Sequence, residues 1–164
     1  MSATISDCGR YRYDLTRVVT SNPVGVVVFI GINPSTADAQ SNDHSVRKMI
    51  GFTSRWGYGV FRLGNVFGYR ATDVRELARV DNPVGPANDI YLREMLAQAS
   101  LVVPCWGNAG KLPPRLRGRI ATVSAMLRGL DVFTPVQCLG RTKSGDPKHP
   151  LTLGYDTRLE DWSP

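Results

Sequence analysis

Apolar positions in this chain fall into short unbroken runs, separated by longer stretches in which they recur at helical spacing. The most apolar run is 24–30, Val24-Gly25-Val26-Val27-Val28-Phe29-Ile30. Its β-branched and aromatic residues, its shortness, and the Gly31 and Pro34 that close it predict a buried strand. Runs at 60–65, 101–105 and 132–138 read the same way, with Pro104 and Pro135 shortening the last two. Between them, 43–56 carries Val46, Met49, Ile50 and Phe52 on one stripe. Segment 87–99 carries Ile90, Tyr91, Met95 and Leu96 behind Pro86, and 116–130 carries Ile120, Val123, Met126 and Leu127. Strands alternating with helices predict an α/β fold: a three-layer α/β/α sandwich around a central, mainly parallel four-stranded sheet. Residues 11–15 are expected to add an edge strand. The 164 residues suit one domain, 1–164, with 1–10 flexible.

If the sheet is parallel, all four strand ends open on one rim, where open α/β sheets bind ligands. The first run leads to Asn33, held between Gly31 and Pro34. The second ends in Asn65, followed by Val66-Phe67, and the third in Trp106-Gly107-Asn108. The fourth leads through a basic loop to Lys148-His149-Pro150-Leu151. Four separate segments thus converge on one site carrying two amides, an imidazole and positive charge. Trp106 reads as strand-end packing, and Asp43 as the cap of the helix that His44 begins.

Charge strengthens this picture. The net charge is +6, with 20 Lys and Arg against 14 Asp and Glu. Lys111, Arg115, Arg117, Arg119 and Arg128 share one stretch without an acidic residue, and Arg141, Lys143 and Lys148 surround His149. Such local excess suits phosphate, so the expected partner is nucleic acid, DNA in particular. No apolar run is long enough to cross a membrane. Three widely spaced cysteines and two histidines support neither a disulfide framework nor a metal site, so no metal is expected and the compartment reads as reducing and cytoplasmic. No Walker loop, dinucleotide fingerprint or nucleophile elbow is present, and no cofactor is expected. An oriented water, a donor to a departing heterocycle and phosphate grips are what N-glycosidic hydrolysis on an extruded nucleotide needs.

In this order the motifs resemble those of the uracil-DNA glycosylase superfamily. Gly31-Ile32-Asn33-Pro34 is similar to the first motif of its mismatch-specific branch, which implies that Asn33 positions the attacking water. Asn65 falls where the superfamily reads the pyrimidine edge. Trp106-Gly107-Asn108-Ala109 resembles a Trp-Gly element, and His149-Pro150 resembles the second motif, whose His stabilises the leaving base and whose following Leu, here Leu151 or Leu153, wedges into the duplex. The resemblance implies Asn33 and His149 as catalytic residues. It implies Asn65, with Phe67 or His44 in place of the usual stacking Phe, for the base, and Ser35, Arg141, Lys143, Lys148 and Leu151 for DNA. Asn33 stands where the main branch has Asp, and no Ser follows Pro150. Over 11–154 the chain, with Tyr11-Arg12-Tyr13, Asn33-Pro34-Ser35-Thr36-Ala37-Asp38 and Pro147-Lys148-His149-Pro150-Leu151, resembles more closely a family of small bacterial and phage proteins of unassigned function. The expected activity is glycosylase-like hydrolysis at a flipped base, modified bases included. The alternative is a non-catalytic nucleic-acid or nucleotide binder on the same fold, and a weaker third is a hydrolase of free nucleosides.

Overall fold

The computed structural model describes residues 1–21, 24–35 and 37–163. Three strands alternate with two helices as expected: β3 (Val26–Gly31), α1 (His44–Arg55), β4 (Val60–Asn65), α2 (Asn88–Ala97) and β5 (Leu101–Pro104), followed by α3 (Gly118–Arg128). β3 pairs in parallel with β4 on one side and with β5 on the other. The chain therefore steps outward from β3 to β4, then back across β3 to β5. Right-handed crossovers in opposite directions require helices on opposite faces. Side chains alternate to match: Val27 and Phe29 pack with Val46 and Met49 of α1, whereas Val28 and Ile30 pack with Leu92 and Met95 of α2 and Val123 of α3.

The sheet itself departs from the expected one. It is mixed and has five strands, in the order β1-β2-β4-β3-β5. β1 (Ser2–Ile5) and β2 (Arg12–Val18) form an antiparallel hairpin, and β2 pairs antiparallel with β4. The first ten residues thus supply the edge strand, and the strand foreseen at 11–15 lies one position inside it. Tyr11 and Tyr13 stack on each other, and Tyr13 stacks on Tyr91 of α2, so these rings are part of the packing.

The expected fourth parallel strand at 132–138 does not form. Only β6 (Gln137–Cys138) is extended, and it pairs antiparallel with β7 (Glu160–Asp161) in a separate two-stranded sheet. Val136 makes a single parallel bridge to Val102. Pro135 has no N–H for the ladder. Val132 and Phe133, apolar enough to read as strand, stand 89% and 87% exposed in a turn. Among the described residues, no helix is long and apolar enough to cross a membrane.

Arg17 in β2 is 1% exposed. Its Nε donates to Asn42 Oδ1 at 2.7 Å, and Nη2 donates to the carbonyls of Asp38 and Ser41. A buried guanidinium thus ties the loop before α1 to the sheet. Replacing it with alanine strands several acceptors at once. Arg17→Ala is expected to cost about 3 kcal/mol in urea unfolding, against less than about 0.5 kcal/mol for exposed Val18→Ala.

Candidate functional site

The ends of β3 and β4 meet residue for residue, with Gly31 opposite Asn65. A Cβ on Gly31 would lie 2.8 Å from Asn65 Oδ1. Glycine is therefore what lets the Asn65 amide fold across the strand end. Two more backbone bonds extend the pairing past the strands, Val66 N–H to Gly31 O and Phe67 N–H to Ile32 O. From behind, Asn88 Nδ2 of α2 donates to the Asn65 carbonyl at 3.0 Å, and Arg119 Nε of α3 donates to the Val66 carbonyl at 3.0 Å. Two helices thus clamp the backbone that carries Asn65.

A cavity of about 60 Å³ opens at this rim, walled by Arg12, Asn33, Ser35, Asp43, Asn65 and His149 among others. That is room for about two water molecules. Ile32 and His149 also wall a neighbouring cavity of about 170 Å³ that reaches Trp106 and Lys111. Of the residues singled out from sequence, Asn33, Ser35, Asn65 and His149 are brought together here. Phe67 is not: its side chain is fully enclosed in the core beneath the rim, with no free face for a base. His44 is exposed at the start of α1, where Asp43 accepts from Val46 N–H as the N-cap. Arg141 lies against Glu160, Lys143 and Lys148 are exposed, and Leu151 is 42% exposed; none of these lines the cavity. Thr36 lies outside the described residues.

Each polar group arrives with part of its bonding already committed. Asn33 Nδ2 donates to the Ala71 carbonyl at 2.6 Å and to the Pro34 carbonyl at 3.1 Å. That network sets the amide's orientation and leaves Oδ1 as its open acceptor. Leu151 N–H donates to His149 Nδ1 at 3.2 Å, so the neutral ring carries its proton on Nε2 and can donate there. His149 is delivered by the loop after Gly140, which is pinned by Gly107 N–H to Pro147 O and by Ala109 N–H to Asp146 Oδ2. Burial lowers its pKa from the ordinary 6.5, against an opposing pull from Asp43.

Two residues of the site were missed in the sequence reading. Arg12 is 2% exposed and donates through Nη1 to the Ala37 carbonyl. Burial pulls its guanidinium down to about 10, with Asp43 pulling the other way, so it stays charged at neutral pH. Its Nε and the Asn65 Nδ2 are enclosed and make no hydrogen bond among the described residues. Asp43 was read only as a cap, yet its carboxylate also walls the cavity. The available signal for Arg12 was a charged residue inside a run of β-forming tyrosines, where burial demands a polar partner.

The family model described as "Protein of unknown function (DUF1643)" matches residues 12–151. The chain belongs to this family. The match runs from Arg12 to Leu151 and so takes in every cavity residue named above. No curated protein and no solved structure matches the chain.

The geometry sets two expectations. Removing the unpaired Asn65 amide relieves a buried polar group, so Asn65→Leu is expected to leave stability unchanged or raise it by up to about 1 kcal/mol, measured by thermal unfolding. The folded state resists protonation of His149, so in the titration window the unfolded chain binds more protons and stability rises with pH. Its contribution is complete above pH 6.5 and declines as pH falls below that value toward the lowered pKa. NMR of the ring is expected to give a midpoint below 6.5, and His149→Gln is expected to flatten the decline.

Proposed function

We propose that this chain hydrolyses an N-glycosidic bond in DNA, acting on a base extruded from the duplex, with a fold and site of the uracil-DNA glycosylase type. The observation that carries the reading is a cavity walled by Asn33, Asp43 and His149 together with Asn65 and Arg12, each of which keeps an enclosed donor, Nδ2 and Nε, without a hydrogen-bond partner among the described residues. When the C–N bond breaks, its electron pair goes to the departing base and spreads onto the ring nitrogen and carbonyl oxygens. Donors set in place before the reaction stabilise that charge without reorganising. In this reading Asn65 pairs with the base edge, since an amide donates and accepts at once. His149 donates from Nε2 to the leaving base.

Water activation falls to the acceptors. Asn33, with its NH2 tied to two carbonyls, offers Oδ1 to a water. The carboxylate that the main glycosylase branch carries at the position of Asn33 has a counterpart in Asp43. One Asp43 oxygen caps α1, and the other is free to take a proton from that water. Ser35, Lys143 and Lys148 are then the grips for flanking phosphates, and Leu151, 42% exposed beside His149, is the wedge. The second reading is a binder that recognises the base without releasing it. It is favoured by the small cavity of about 60 Å³, which must widen toward Trp106 to admit a base.

Duplex oligonucleotides carrying uracil, mismatched thymine or modified bases separate the two. Hydrolysis predicts abasic sites on at least one duplex, with release slowed about 100-fold or more by Asn33→Ala, Asp43→Asn and His149→Gln. Salt-sensitive binding with no base released from any duplex would overturn hydrolysis in favour of the binder.

A further inference from the structure

The cavity beside the candidate site has a different character from it. The small cavity sets Arg12, Asn33, Asp43 and Asn65 beside the apolar Ile32, Met49 and Leu63, whereas the larger one, about 170 Å³, is walled by Ile32, Val74, Leu112 and the indole of Trp106, with Asn108, Lys111 and His149 as its polar side chains. At its mouth stands Lys111, exposed, with no carboxylate within ion-pair distance among the described residues. The indole N–H of Trp106 is enclosed and makes no hydrogen bond among the described residues. The two cavities touch only through shared walls, Ile32 and His149. Gly107, at φ 74°, turns the chain behind His149, and a Cβ there would come within 3.8 Å of the His149 Cβ.

These properties describe a pocket for an arm, not for a ring alone. A group passing His149 from the small cavity meets an apolar sleeve and then a positive charge. We propose that the substrate base carries an extended exocyclic substituent, with an apolar stem lying along Trp106 and Leu112 and an anionic or carbonyl end at Lys111. This rests on the base-binding reading above and adds the substrate class to it. With a pyrimidine edge on Asn65, the arm leaves from C5, a position that takes no part in pairing and does not carry the sugar. An unmodified base takes the small cavity and the space opened beside His149, and it leaves the apolar sleeve along Trp106 and Leu112 unfilled, so discrimination comes from the arm. One charge-assisted hydrogen bond to Lys111 supplies about tenfold in affinity.

The test compares two 2′-deoxynucleosides, thymidine and 5-carboxymethyl-2′-deoxyuridine, titrated at millimolar concentrations into the full chain. The Trp106 indole N–H resonance is followed by NMR and assigned with Trp106→Phe. The carboxymethyl nucleoside is expected to bind about tenfold tighter and, at saturation, to shift the Trp106 resonance further than thymidine does. Lys111→Met is expected to abolish the preference while thymidine binding stays unchanged. Leu112→Trp, which fills the sleeve, is expected to do the same without touching Lys111. Equal affinities, or a preference that survives Lys111→Met, would overturn the arm pocket. The base reading would stand in that case, provided Asn65→Leu weakens both nucleosides. If neither nucleoside binds, the base reading fails, and the arm pocket fails with it.

Discussion

The parallel pairing of β3 with β4 runs to its last residue, where Gly31 faces Asn65. Everything at the rim depends on that contact. Because Gly31 has no Cβ, the Asn65 amide lies across the neighbouring strand rather than out to solvent, and a methyl group there would press on Oδ1 at 2.8 Å. The backbone bonds that follow, to Val66 and Phe67, carry the two chains onward together for two residues. Asn33 is thereby held close to Asn65, and its amide is free to reach the Ala71 carbonyl.

Around this contact the molecule buries polarity that its own bonds do not fully satisfy. Arg17 and Arg12 sit in the same strand, both nearly sealed from solvent, but their situations differ. Arg17 spends its donors on Ser2, Thr16, Asp38, Ser41 and Asn42, and so is a brace. Among the described residues, Arg12 bonds to Ala37 and its Nε is unpaired. A buried donor without a partner costs roughly 1–3 kcal/mol, a cost that folding alone does not reward. Arg12 and Asn65 both carry that cost and both line the small cavity, while Thr53, Asn88, Trp106 and Trp162 also keep an enclosed polar atom without a partner among the described residues.

The helices supply stiffness where the strands run out. Asn88 and Arg119 reach from α2 and α3 to the carbonyls of Asn65 and Val66, and Arg119 also pairs with Asp89, joining the two helices. On the opposite face, Asp43 caps α1 and Lys48 holds the Leu153 carbonyl, which keeps the segment after His149 against the helix. The cavity is therefore framed by α1 on one face of the sheet and by α2 and α3 on the other. The wall shared with the Trp106 cavity, Ile32 and His149, is formed by loop residues.

Local pattern was enough to mark β3, β4, β5 and all three helices, because burial on both faces of a parallel strand, or on one stripe of a helix, leaves a periodic trace in the residues themselves. It was also enough to send Asn33 and Asn65 to one rim, since parallel strands share their direction, whereas His149 reaches the cavity on a loop held by Gly107 and Ala109 and not at the end of a parallel strand. It failed at 132–138, where Val132 and Phe133 mimic a strand but Pro135 breaks the ladder and the segment turns outward. It failed again at the N-terminus, where β1 is four residues of mixed polarity held by pairing with β2 and by Ala3 against the core. Arg12, Asp43 and the enclosure of Phe67 were beyond its reach for a common reason. Whether a charged side chain is buried, or a ring is sealed beneath a rim, depends on segments distant in the chain that fold over it. Periodicity along the chain thus determined the elements and their order; only packing between remote elements decided which polar groups are enclosed together and which are left without a partner.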